Sequence, residues 1–261
     1  TGVPELHYTP LLPLLSGLVY LPSGNPELGS SFWYVLLGAL LCAPVYAIAG
    51  RICSRRVALI AALLVAIFPG LSSAVLYWGT MTEPLFVLLV YGALWAILRE
   101  LDVDKAWPAA LAGALLGLAY LARPEGIVWF AASGFLFLLL WLLTDRLLRW
   151  KTVGRLGIFL LTFLLVALPY GLYLHRQTGK WMATGKLSIT YDIGQAVIDH
   201  DPVLYDKVTA SLDSETGEIL WWSRRRFQRT MLEVFLADPG AFLRRTVINV
   251  QRLRESVFVP T

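Results

Sequence analysis

The chain has 261 residues, of which 57% are hydrophobic and only 15% charged, with ten tryptophans, a formal net charge of +4 and a mean hydropathy of +0.64. Such a balance is too apolar for an ordinary soluble domain, and it gives no reason to expect a nucleic-acid partner. It describes an all-α polytopic membrane protein.

In chain order, a short run over 9–22 comes first; it carries Pro10, Pro13 and Pro22 and is read as a juxtamembrane helix at the interface rather than a span. Six longer apolar runs follow at 31–49, 57–78, 81–98, 107–122, 127–144 and 156–174. Each is close to the roughly 20 residues that a spanning helix requires. Pro69-Gly70 should kink or end the second span, and Gly113-Ala-Leu-Leu-Gly117 should let a neighbouring helix approach closely. Tyr77, Trp78, Trp107 and Trp129 fall where interfacial aromatic anchors belong. The expected organisation is an external juxtamembrane segment (1–30), a transmembrane helical domain (31–175) and an external region (176–261).

Within that last region, Gly179, Gly185, Gly194 and Gly217 are turn signals, and Lys186-Leu-Ser-Ile-Thr-Tyr191 reads as a strand. From Arg224 the pattern turns helical, Asp238-Pro239-Gly240 breaks it, and a second amphipathic helix follows with Leu243, Val247, Val250, Leu253 and Val257 at helical spacing. The surrounding arginines suit anionic membrane lipids, and one or two of Arg224, Arg225 and Arg229 are candidates to hold a lipid phosphate.

Loop charge orients the spans. Arg51, Arg55 and Arg56 follow the first, and Arg146, Arg149, Lys151 and Arg155 lie between the fifth and sixth, which makes both loops cytoplasmic. Parity then puts 79–83, 123–126 and everything beyond His175 outside, and the nearly neutral loop 99–105 inside. An integral plasma (inner) membrane location with an extracytoplasmic working face follows. Cys42 and Cys53 have neither disulfide nor metal spacing.

Three polar clusters share the external face. His7-Tyr8-Thr9-Pro10 opens the juxtamembrane run, Thr82-Glu83-Pro84 opens a span, and Ala122-Arg123-Pro124-Glu125-Gly126 joins two others. An acid amid apolar sequence costs about 2.5–3.5 kcal/mol to insert unless it is paired, so Glu83 is a candidate functional residue. It also suits the start of a helix, where an acid complements the dipole and Pro84 fits the first turn. Arg-Pro-Glu-Gly reads equally well as a turn between helices, and a lone histidine such as His7 is more often a surface residue than a base.

The ordered set His7-Tyr8-Thr9-Pro10-Leu11-Leu12-Pro13, Arg55-Arg56-Val57-Ala58-Leu59-Ile60-Ala61-Ala62-Leu63, Phe68-Pro69-Gly70, Thr82-Glu83-Pro84-Leu85-Phe86, Leu121-Ala122-Arg123-Pro124-Glu125-Gly126 and Asp238-Pro239-Gly240-Ala241-Phe242-Leu243 resembles the dolichyl-phosphate-mannose-protein mannosyltransferases. It is similar as well to their bacterial relatives, the lipid A aminoarabinose transferases, all within the GT-C superfamily. The resemblance implies a glycosyltransferase that uses a polyprenyl-phosphate sugar donor, with its site on the external face. In the family, a carboxylate in the first external loop acts as general base or orients the acceptor, upstream of the His-x-Pro-Pro-Leu-like segment. Here Thr9 stands where a first proline is common, and Glu5 is the one acid upstream, a poor substitute. Because the chain starts at Thr1 rather than Met, and the family continues into further spans, the catalytic acid is expected outside residues 1–261, which alone should be inert.

Glu83, His7 and Glu5 are thus the catalytic candidates, with Tyr8, Arg123, Glu125, Arg224, Arg225 and Arg229 as candidates to bind substrate. Cations would stabilise the departing phosphate, and a carboxylate would deprotonate or orient the acceptor. Spacing assigns no metal; a divalent ion stays an option, and the sugar and acceptor stay open. A transporter or lipid flippase would also place charges between helices, but its usual internal repeats are not visible; a noncatalytic membrane subunit is the third reading. The orientation makes a direct prediction. A membrane-impermeant maleimide should label Cys53 only after permeabilisation, and labelling in intact cells would reverse the topology.

Overall fold

The computed structural model describes residues 6–67, 82–143, 146–212, 219–221 and 229–258. The expected kink at Pro69-Gly70 and the anchors Tyr77 and Trp78 lie outside them. The chain divides into two compact units, Thr9–Tyr170 and a second formed by Thr1–Tyr8 with Gly171–Thr261.

The first unit is helical. Helix α1 (Leu11–Ser23) ends at Gly24, whose φ of 65° is the left-handed conformation that glycine supplies at a helix end, and α2 (Pro26–Leu40) starts at once, capped by Asn25. The two pack as a hairpin: the Trp33 indole N–H donates to the Leu15 carbonyl at 2.5 Å, and a Cβ on Gly29 would stand 2.7 Å from the Ser16 carbonyl oxygen. The juxtamembrane run is therefore a helix whose first turn enters the core through Leu12, while Leu14, Leu18 and Leu21 stay exposed. Beyond α2 come α3 (Cys42–Ile52) and α4 (Arg55–Ala66), with Ser54 capping the latter. After them come α5 (Glu83–Glu100), α6 (Trp107–Ala122), α7 (Gly126–Leu143) and α8 (Arg146–Thr178), which carries Pro169 inside it and belongs to this unit as far as Tyr170.

Two helical stretches, Pro26–Ile52 and Trp150–Thr178, are long and apolar enough to cross a membrane, and several shorter apolar helices accompany them. Of the second expected span, only the α4 part lies within the described residues. Large apolar side chains cover the outside of these helices, Val35 on α2, Leu64 on α4, Val128 on α7 and Leu165 on α8 among them. Helices coated in this way suit hydrocarbon as solvent.

Glycine decides how α6 meets α8. A Cβ on Gly113 would collide with the Phe159 carbonyl and the Thr162 hydroxyl, and one on Gly117 would stand 2.7 Å from Val166 Cβ. Close approach lets rings fill the remaining space. Phe130 of α7 stacks on Phe159 and Phe163, while Tyr120 of α6 leans on Phe163 and Tyr170.

At one end of this bundle, the α5–α6 loop is tied by charge to the ends of α3 and α8. Asp102 in the α5–α6 loop pairs with Arg51 of α3, while Asp104 meets Lys151 of α8 at 2.6 Å and Arg155 at 2.5 Å. Buried Glu100 lies 2.9 Å from the Arg155 Nε. Hydrogen bonding from Arg51 holds Asp102 below the usual carboxylate range, and Lys151 does the same for Asp104. The acids of segment 99–105 thus neutralise cations carried by α3 and α8.

In the second unit, α9 (Leu187–Ile198) occupies the segment read as a strand over Lys186–Tyr191. That expectation was wrong because the inward positions follow a helical period, with Ile189 and Ala196 buried and Ile193 partly buried, and this outweighs the β-branched local composition. Helix α10 (Pro202–Thr209) leads into the antiparallel pair β1 (Ala210–Leu212) and β2 (Ile219–Trp221), with Ser211 opposite Leu220. The helix expected from Arg224 is described from Met231. There α11 (Met231–Ala237) opens with a capping box in which the Thr230 hydroxyl accepts from the Glu233 N–H and Glu233 accepts from the Thr230 N–H. Asp238-Pro239-Gly240 does break the chain, and it also starts α12 (Pro239–Phe258), Asp238 Oδ1 accepting from the Ala241 N–H at 2.9 Å.

The α6–α8 contact yields a prediction. Gly113→Val should cost about 1–3 kcal/mol through overpacking, seen as a lower Tm in detergent. Gly157→Ala on α8, where a Cβ meets nothing within 4 Å, should leave Tm unchanged or slightly raised; equal effects would refute the close contact.

Candidate functional site

The end of the first unit opposite the tied loop is built around Arg123. Its extended backbone ends α6, Pro124 and Glu125 form the turn, and Gly126 starts α7, with the Gly126 N–H bonded to the Arg123 carbonyl at 3.0 Å. This turn requires glycine. A Cβ at 126 would collide with the Tyr120 N and stand 2.7 Å from the Ala119 carbonyl carbon. The tightness fixes where Arg123 leaves the backbone.

The Arg123 guanidinium then meets two carboxylates. It pairs with Glu83 from the first turn of α5, and with Glu125 at 3.2 Å, while Phe86, one turn along α5, places its ring 5.8 Å from the guanidinium carbon. Burial works against its charge, but Glu125 and Glu83 more than offset this and keep the cation firmly protonated. Glu83 is therefore not deep within a span. It is 43% exposed at a helix start, where it serves the dipole and the ion pair together.

Two further contacts complete the neighbourhood, and both were missed in the sequence. The buried Thr9 hydroxyl donates to the Ala122 carbonyl at 2.6 Å, which pins the start of α1 beside Arg123; the sequence showed this threonine only as a departure from proline. Buried Tyr34 of α2 lies within electrostatic reach of Glu83. A tyrosine beside Trp33 in an apolar run looks like an interfacial anchor, so nothing local announced it.

The remaining candidates are dispersed. His7 is buried and makes an edge-to-face contact with exposed Tyr8 at 4.7 Å, in the second unit. Arg229 is not an uncommitted cation, because it pairs with Asp192 of α9. Glu5, Arg224 and Arg225 lie outside the described residues. Arg245 turns inward on α12, bonding the Tyr191 and Thr190 carbonyls and lying over the Tyr191 ring at 4.3 Å. Lys180 meets Glu233 at 2.6 Å and, with the Thr230 N–H, draws that carboxyl below its ordinary range. Among the described residues, no cluster of three or more His, Cys, Asp or Glu could hold a metal ion.

What this end of the bundle offers is one cation held by two acids at the mouth of an apolar helical layer. A model of the dolichyl-phosphate-mannose-protein mannosyltransferase family matches residues 7–173, from His7 through α8. The chain belongs to that family. Membership makes this mannosyltransferase-family protein a membrane glycosyltransferase in general terms, and a dolichyl-phosphate-type sugar donor is the family's general property. No curated protein and no solved structure matches the chain. Thr9, Glu83 and Arg123 all fall inside the matched region.

Proposed function

We propose that the protein transfers a sugar from a polyprenyl-phosphate donor to an acceptor hydroxyl, at the extracytoplasmic end of a multi-span helical domain that carries Glu83 and Arg123. The observation that supports this most is the Glu83–Arg123–Glu125 cluster, set on a turn too tight to shift and lying within the family match.

In such a transfer the bond from the sugar's anomeric carbon to the phosphate oxygen breaks, and a bond from that carbon to the acceptor oxygen forms. The acceptor loses its proton to a base, and the polyprenyl phosphate leaves with the bonding pair. Arg123 is suited to stabilise the leaving phosphate, whose planar pair of oxygens matches a guanidinium. With two acids on one cation, however, the resting cluster has a net negative charge, which repels phosphate. One carboxylate must yield. Glu125 is the natural choice, being 54% exposed with contacts of 3.2 Å and 3.4 Å, while Glu83 keeps the arginine aimed. Glu83 then orients the acceptor hydroxyl as well. The base is expected from an external loop upstream of His7, as the resemblance implies. The exposed apolar stripe Leu243, Val247 and Val250 on α12, flanked by exposed Arg244 and Arg252, suits anionic lipid at the membrane surface.

Turnover of the full-length protein in lipid nanodiscs, with a panel of polyprenyl-phosphate sugars, tests the assignment. Glu83→Gln should lower kcat about 10²-fold with little change in Tm. Arg123→Gln should raise the donor KM, and Glu125→Gln should leave it unchanged or lower it. Unchanged turnover of Glu83→Gln would reduce this residue to a helix start, and movement of substrate across the bilayer without transfer would favour a transporter.

A further inference from the structure

A second polar feature lies at the other end of the first unit. Between α3 and α5, a cleft of about 470 Å³ is lined by Arg51, Arg55, Arg99 and Asp102, with Tyr46 and Trp95 among its apolar walls. Three guanidinium groups face one carboxylate. Asp102 is shared between Arg51 and, at 3.9 Å, Arg99, so the lining has a surplus of two positive charges.

Arg55 makes the surplus more unusual. It opens α4, whose first turn contains no acid, so a cation sits where the helix dipole is already positive. Such an arrangement is unfavourable by itself and becomes favourable when an anion enters. Guanidinium groups converging on a partly apolar cleft favour phosphate, which accepts paired hydrogen bonds from arginine.

The setting distinguishes a lipid from a free ion. Exposed Ile52 and Leu101 adjoin the lining residues Arg51 and Asp102 in the chain, where apolar helices give way to charged loops, and Trp95 and Tyr46 in the lining are the aromatic types found at a membrane interface. Helix α5, with 18 residues, separates this end from Glu83 by ~27 Å, close to the thickness of a bilayer's hydrocarbon layer. We propose that the cleft is a binding site for the phosphate of an anionic phospholipid headgroup, on the membrane face opposite the transfer site. The cleft shares no lining residue with the Glu83–Arg123–Glu125 cluster, so its ligand is tested independently of the transfer reading, which serves only to say which face it lies on.

The test is fluorescence quenching of the full-length protein in neutral detergent, using phosphatidylglycerol brominated on its acyl chains, with brominated phosphatidylcholine and inorganic phosphate as comparisons. Phosphatidylglycerol should quench saturably, and Trp95→Phe should remove part of the quenched signal. Arg55→Gln with Arg99→Gln should weaken the binding by about tenfold or more. Arg56→Gln removes a neighbouring exposed charge that does not line the cleft, and it should change the affinity by less than about twofold. Circular dichroism of each variant confirms that the helices persist. Equal weakening by Arg56→Gln would mean diffuse surface charge, equal quenching by phosphatidylcholine would mean non-specific lipid contact, and displacement by inorganic phosphate at the lipid's own concentration would mean a free-anion site. Each of these outcomes overturns the proposal.

Discussion

The contact of Arg123 with Glu83 is the interaction on which the first unit's polar end depends. It joins the end of α6 to the start of α5, two helices that otherwise meet through apolar side chains such as Leu89, Val90 and Ala119. Arg123 is the more buried of the two, and with Glu83 neutralised it still keeps Glu125 as a partner, whereas a like charge placed opposite it would face direct repulsion. The Gly126 turn and the Thr9–Ala122 hydrogen bond hold the pair's surroundings in place. Position and charge are thus set by different residues. Backbone crowding fixes where the guanidinium starts, and the acids fix where it points.

Among the described residues, the ion pairs of this unit lie at two ends, and the ends differ in kind. At the Glu83 end one cation is surrounded by acids; at the other, the acids of loop 99–105 are divided among Arg51, Lys151 and Arg155, and an arginine-lined cleft is left with net positive charge. Between them the contacts are steric and aromatic, with Gly113 and Gly117 letting α8 approach and the Phe130, Phe159 and Phe163 rings filling the layer. Opposite ends with opposite surplus charge suit a protein whose two faces meet different ligands.

Much of this was legible in the sequence because its causes are local. Apolar runs gave the helices of the first unit, Gly113-Ala-Leu-Leu-Gly117 gave its closest contact, and Asp238-Pro239-Gly240 gave a helix boundary that also proves to be a cap. The reading failed where local composition and longer periodicity disagree, as at α9, whose Ser188-Ile189-Thr190-Tyr191 looks like a strand until the period through Ala196 is followed. Thr230 and Glu233, three residues apart ahead of an apolar turn, form a capping signature visible in the sequence, and it fixes where α11 starts better than the arginines before it do. The candidate cluster was half legible. Glu83 and Arg123 stood out as charges beside apolar runs, but their pairing across 40 positions, the role of Thr9 and the proximity of Tyr34 are properties of the fold that no local pattern encodes.

Charge reversal tests the central claim most directly, with Glu83→Arg and Arg123→Glu made singly and together in the full-length protein in nanodiscs, and Tm and sugar transfer measured on each. The ion pair predicts that either single reversal lowers Tm, because like charges then face each other, and that the double reversal recovers most of the loss. The role proposed for Arg123 predicts equally that the double variant stays inactive, since the cation then projects from α5 instead of the α6–α7 turn. Single reversals with unchanged Tm would contradict the pairing, and a double variant that regains full transfer would contradict the separate roles given to the two residues.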